Sequence, residues 1–177
     1  MRRTFLTLTL ALAAAAPLHA QGLMADMHGD VRQVEQKLIA LAKAMPENTY
    51  AWRPTGARSV GELFMHVAED NYFIPVAMGK PAPAETGITE DFKTTVAYSS
   101  KPRTKDQIVA ELEASFRHLH SAMNLTTDAN VGEKLKVFGQ EFTRQRLMIM
   151  TVTHLHEHLG QGIAYARSNN IVPPWSR

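Results

Sequence analysis

Apolar residues recur along this chain at steps of three and four in four separate stretches, and each stretch predicts a helix. Met27, Val31, Val34, Leu38, Leu41 and Met45 form the first seam, with Asp30, Arg32, Glu35, Lys37 and Lys43 off it. This predicts a helix over 24–45, stopped by Pro46. Ser59-Val60-Gly61-Glu62 has the form of a capping box and opens a second helix over 59–78, with Val60, Leu63, Val67 and Ile74 on its apolar side. Thr104-Lys105-Asp106-Gln107 repeats that form and opens a third over 104–125, where Ile108, Leu112, Ser115, Phe116, Leu119 and Met123 share a side. The fourth runs over 143–168, capped by Thr143 and ended by Asn169-Asn170, with Met148, Val152, Leu155, Leu159 and Ala166 as its main stripe. Residues 79–103, punctuated by Pro81, Pro83 and Pro102, read as a long crossover loop, and 126–141 as a polar stretch holding one short extended piece at Lys136-Val137-Phe138. Four amphipathic helices without a convincing strand pattern place the chain in the all-α class, as a four-helix bundle.

The first twenty residues follow a different pattern. Met1-Arg2-Arg3 precedes an uncharged apolar run from Thr4 to Pro17, closed by Leu18-His19-Ala20. A basic start, a short apolar run and a small final residue describe a secretory signal peptide over 1–20, cut after Ala20, with the folded domain over 21–177. The run is too short for an ordinary membrane span, so no stable membrane anchor is expected after cleavage and the product is expected in the periplasm or outside the cell. Cleavage removes Arg2 and Arg3 and no acid, which leaves 17 basic against 17 acidic residues. The formal charge of +2 thus belongs to the leader, and nothing in the charge suggests a nucleic-acid partner. There is no cysteine, so disulfides, thiolate metal sites and a cysteine nucleophile are excluded. Any metal site must use histidine, carboxylate or water.

Three of the eight histidines lie within His154-Leu155-His156-Glu157-His158. On a helix His154 and His158 sit one turn apart, offset by about 40° around the axis, whereas His156 lies about 160° away from either. Two imidazoles at i and i+4 can offer two nitrogens to one ion; a surface helix rich in histidine is the bland alternative. Leu147, Thr151, His154, His158, Gln161 and Tyr165 form a second stripe at the margin of the core. His66 lies on the core side of the second helix, with Asp70 one turn further along the same face. It is either an interior histidine held by hydrogen bonds or the third ligand. His66, His154 and His158 together would bind one divalent ion and leave a position open, the pattern of a catalytic site. Zinc, nickel, copper or iron suit three histidines, with zinc or nickel foremost. Asp70 and Gln161 are expected to orient the rings rather than to ligate. His28, His118 and His120 are expected at the surface, and His156 on the other flank of its helix, away from the pair. The string from His154 to His158 also matches the H-x-x-E-H peptidase pattern, but no Asp, Glu or His follows Leu159 to supply a third ligand, so the match is read as accidental.

Met45-Pro46-Glu47-Asn48-Thr49-Tyr50, Arg53-Pro54, Arg58-Ser59-Val60-Gly61-Glu62-Leu63 leading into His66, then His154, His158, Gly160-Gln161 and Pro173-Pro174 occur in an order and spacing that resembles the DinB-like (DinB/YfiT) metal-binding four-helix-bundle family. The resemblance runs from about Met24 to Trp175. It implies a helix-two histidine and an H-x-x-x-H pair as metal ligands, which fall on His66, His154 and His158. Leu159 stands where the family often has arginine, so any role of that arginine does not carry over. The resemblance also implies thiol-dependent transferases and isomerases among characterised relatives. The leading expectation is therefore an exported metal-dependent enzyme acting on a small molecule, of thiol-dependent transferase or hydrolase type, with its catalytic residues unassigned and a homodimer left open. The alternatives are a metal-binding or stress-related bundle without catalysis, and a structural bundle whose histidines are satisfied core residues.

Overall fold

The computed structural model describes residues 22–137 and 139–176. The expected leader over 1–20 lies outside the described residues, as does Phe138 of the expected extended piece. Helix α1 spans Leu23–Ala44, α2 Val60–Ala77, α3 Lys93–Ser99, α4 Lys105–Met123 and α5 Arg144–Ser168. Strands β1 (Lys134–Val137) and β2 (Gln140–Thr143) pair antiparallel, with Val137 opposite Gln140.

The long helices begin and end where local chemistry directs. Ser59 Oγ accepts from the Glu62 amide at 3.2 Å while the Glu62 carboxylate accepts from the Ser59 amide at 2.7 Å, so two orphan donors of α2 are satisfied reciprocally. Thr104 and Gln107 do the same for α4, and Thr143 caps α5 through the Arg146 amide. Met45 is extended (φ −68°, ψ 123°), as a residue before proline must be, and α1 ends there. Asn170 closes α5 in the left-handed region at φ 58°.

α1, α4, α2 and α5 pack in that cyclic order, each long helix lying mainly against two others. The first seam is buried throughout, from Met27 to Met45. Phe64, Phe116, Leu38, Leu41, Leu63, Leu112, Leu119, Leu147 and Met148 fill the middle with 1% exposure or less. α2 is more enclosed than its apolar stripe suggests: besides Leu63, Val67 and Ile74 it buries Met65, Ala68, Asn71 and Tyr72, because α3 and α4 cover the side that α5 does not. Asn71 takes its place there by donating to Ser115 Oγ on α4 at 3.1 Å. Pro75 falls in the last turn of α2, where it withholds one amide bond two residues before the helix ends. Gly162 on α5 lets that helix close on α1, since a Cβ there would meet Leu41 Cδ2 at 3.1 Å.

Two expectations are corrected. The 79–103 stretch is not all loop: α3 lies within it, burying Thr95 and Tyr98. A seven-residue helix with two inward positions is too short to show a period in sequence. The 126–141 stretch opens a hairpin that runs on to Thr143 rather than a single extended piece, with Gly139 at φ 75° between the strands. The C-terminal turn Pro174–Ser176 packs back on α1. Among the described residues no helix is long and apolar enough to cross a membrane.

Candidate metal centre

The capped start of α2 sets the phase that turns His66 and Asp70 toward α5, and the Thr143 cap does the same for His154 and His158. Across the α2–α5 contact these four side chains converge. One nitrogen from each ring and one Asp70 oxygen all lie within 4.8 Å of one another. The ring centroids of His66 are 5.5 Å from those of His154 and 4.7 Å from those of His158, and the last two are 4.3 Å apart. The Nε2 atoms of His154 and His158 approach to 3.2 Å. Asp70 Oδ2 lies 2.6 Å from His154 Nε2 and 3.3 Å from His66 Nε2.

The outward nitrogens are held from behind. His66 Nδ1–H donates to Glu69 Oε1 at 2.7 Å, and a carboxylate can only accept, so the Nε2 of a neutral His66 carries the lone pair. His158 Nδ1–H donates to Gln161 Oε1 at 3.1 Å, and the Gln161 amide in turn donates to the Tyr165 hydroxyl at 3.2 Å. That chain orients Gln161 and leaves His158 Nε2 as the lone-pair atom facing the cluster. Edge-on packing of Trp52 against Tyr165, at 5.4 Å between ring centroids, backs the chain with an apolar wall.

The electrostatics divide the two α5 histidines. The hydrogen bond to Asp70 raises the His154 pKa above the usual imidazole value, against the opposing effect of burial. Burial pushes His158 down to about 4, helped by repulsion from His154 and His66. His158 is thus a neutral donor near neutral pH, while His154 holds a proton that a cation would have to displace.

The structure brings together His66, His154 and His158, and it places Gln161 behind the His158 ring. The Asp70 carboxylate faces His154 Nε2 and His66 Nε2, the nitrogens that point into the cluster. The residue that stands behind His66 is Glu69, which sequence reasoning missed. Glu69 is 5% exposed, and its Oε2 is buried with no partner among the described residues. A carboxylate three residues after a candidate ligand histidine was the available signal. Glu157, the base of the H-x-x-E-H match, is exposed and outside the cluster.

The remaining histidines are elsewhere. His156 is exposed and donates Nδ1–H to the Val152 carbonyl. His118 and His120 are not the solvated residues expected. His120 Nε2 meets Glu35 Oε2 at 2.7 Å, and His118 packs on the Tyr72 ring with Nε2 buried and unpartnered among the described residues. His28 is half-buried. Neighbouring helices cover His118 and His120, which a single-helix projection cannot show.

The donor set fits a divalent cation. Three imidazoles and one carboxylate are borderline-to-hard ligands, and two of the lone pairs are pre-aimed by the groups behind them.

The DinB superfamily model matches residues 30–161. Among solved structures, a DinB-like protein from Bacillus cereus ATCC 10987 aligns with a TM-score of 0.69 at 13% identity, over 87% of this chain and 97% of that one. A DinB-like protein from Bacillus subtilis gives 0.63 at 13% identity, over 83% and 93%. An uncharacterised protein from Escherichia coli UTI89 gives 0.63 at 18% identity, over 86% and 97%. At such identities the likeness is one of fold. No curated protein matches the chain in sequence.

Proposed function

We propose that this chain, which belongs to the DinB superfamily, holds one divalent metal ion through His66, His154 and His158 and acts with it on a small molecule. The observation that carries the reading is the meeting of three imidazole nitrogens from two helices within 4.8 Å, beside a carboxylate. A divalent ion held there would supply Lewis acidity. His158 offers a lone pair at neutral pH, Glu69 fixes the His66 ring, and Asp70 draws the proton of His154 and can take up a proton or a polar substrate hydrogen. Thiol-dependent transfer, which the resemblance implies, and metal-assisted hydrolysis, which a bound ion's Lewis acidity would allow, are the reactions to screen, and zinc and nickel the ions to try first. Metal titration of the purified chain, followed by a small-molecule screen with and without chelator, tests the reading. A stoichiometry well below one ion per chain would sink it.

Asp70 favours a second reading. If its Oδ2 becomes a ligand, the site has four protein donors, the closed pattern of a metal-holding rather than a catalytic centre. Asp70→Asn separates the two: affinity lost as fully as in a histidine variant makes Asp70 a ligand and favours the non-catalytic protein.

Glu69→Gln keeps the size of the side chain and removes its charge. It is expected to weaken metal binding about 10–100-fold, the usual effect of losing a group that orients a ligand. Competition against a chelator of known affinity measures this, and unchanged affinity would show that His66 does not depend on Glu69.

Acid should release the ion. A raised pKa means that His154 binds its proton more tightly, so protons compete for that nitrogen at higher pH than for an ordinary histidine. His158, at about 4, contributes no such competition above about pH 5. Affinity is expected to fall steadily from about pH 8 to about pH 5.5. A flat profile over that window would contradict the imidazole donor set.

We further propose that residues 1–20 direct export and are removed, with the site working in the periplasm or outside the cell. Intact mass of the protein recovered from its host tests this; a mature N-terminus that retains Arg2 and Arg3 would refute it.

A further inference from the structure

Away from the histidine cluster, on the side of α2 that faces α3 and α4, lies a cavity of about 530 Å³, within the size range of small-molecule sites. Tyr72 of α2, Tyr98 of α3 and the small Ala110 and Ala114 of α4 line it, with Lys101, Arg103 and Arg117 among its charged residues. Tyr72 and Tyr98 meet edge to face, 5.8 Å between ring centroids, and both are 3% exposed.

The charges are arranged in an uneven way. Arg103 is preset: one guanidinium nitrogen donates to the Tyr98 and Lys101 carbonyls, each at 3.0 Å, and the group lies 4.6 Å over the Tyr98 ring. Those contacts engage only Nη1, and among the described residues no carboxylate pairs with the rest of the fork. Lys101 and Arg117 likewise have no ion-pair partner among the described residues. Of the two acids in the wall, Glu111 already accepts the Tyr98 hydroxyl at 2.5 Å, and Glu85 is exposed, its charge in solvent. The Tyr72 hydroxyl has no hydrogen bond to any described residue and stays protonated, its pKa pushed up to about 12 by burial. Three unpaired cations and a free phenol donor thus share one cavity with two aromatic rings.

We propose that this cavity binds a small organic acid, its carboxylate or phosphate group held by Lys101, Arg103 and Arg117 and its carbon skeleton lying against Tyr72 and Tyr98. A guanidinium whose orientation is fixed beforehand matches the planar acceptor pairs of both groups, and little freedom is lost when the ligand arrives. The site is separate from the proposed metal centre, which faces α5.

Calorimetric titration of metal-free protein at low ionic strength, with inorganic phosphate and with succinate as separate probes, tests the proposal. Metal-free protein ensures that no heat comes from an anion on a bound ion. Saturable binding of at least one probe is expected, with a dissociation constant of about 1 mM or below. Tighter phosphate binding identifies a phosphate ligand, and tighter succinate binding a carboxylate. Arg117→Gln and Lys101→Gln remove exposed, unpaired side chains and should leave the melting temperature unchanged while each weakens the better probe about tenfold. Arg103 is left intact because it also ties the turn before α4. Absence of saturable binding by either probe, or unchanged affinity when Arg117→Gln and Lys101→Gln are combined, would overturn the proposal.

Discussion

His158→Ala is expected to abolish stoichiometric binding of a divalent ion, while His156→Ala, two residues away on the same helix, leaves one ion per chain. His158 is 5% exposed, its Nε2 faces the cluster, and its partner Gln161 holds the other nitrogen. His156 faces solvent and bonds its own helix backbone. The loss should exceed the ~10–100-fold that follows removal of an orienting residue, because a donor atom itself is gone. His66→Ala and His154→Ala should behave as His158→Ala does. His118→Ala and His120→Ala should not, since His120 is engaged with Glu35 and His118 sits against Tyr72. These controls carry weight in a chain with eight histidines, which can collect adventitious metal. Equal losses from the His156 and His158 variants in a metal titration would refute the assignment.

Phe116→Ala is expected to cost about 3–5 kcal/mol of folding stability. Phe116 is fully buried on α4, in the layer shared with α1 and α2. Removing its ring forfeits the transfer energy and leaves a cavity that four packed helices cannot readily close. Against a domain total of about 5–15 kcal/mol, that is a large fraction. No member of the histidine cluster lies on α4. The variant should therefore keep its metal stoichiometry under native conditions, and saturating metal should recover about 2.7 kcal/mol at a hundred times the dissociation constant. Chemical denaturation with and without metal measures both. A loss below about 1 kcal/mol would show that this layer is not tightly packed.

The polar side chains at the cluster show where reading along one helix stops. From sequence, Asp70 is one turn from His66 on the same face and is expected to orient a ring rather than to ligate. Its surroundings were set by α5, which brings His154 Nε2 to 2.6 Å of Asp70 Oδ2. Glu69 takes the place behind His66 instead. His118 looked solvated because it points away from the apolar stripe of its own helix, yet the Tyr72 ring covers it.

The four long helices, their caps and the inward seams were legible because each depends on interactions spanning at most a few residues. Side-chain period, Ser59 with Glu62, Thr104 with Gln107 and proline after Met45 all act locally, and the boundaries fall within two residues of expectation. The His154–His158 pair was legible for the same reason, being one helical turn. α3 and the hairpin escaped because their stabilising contacts are few per element and come from other parts of the chain. The joining of His66 to that pair, the aim of Asp70 and the cavity beside Tyr98 were decided by tertiary structure. Each depends on the packing of α2 between α4 and α5 and on the rotamers that this packing selects, and no short stretch of sequence carries that information.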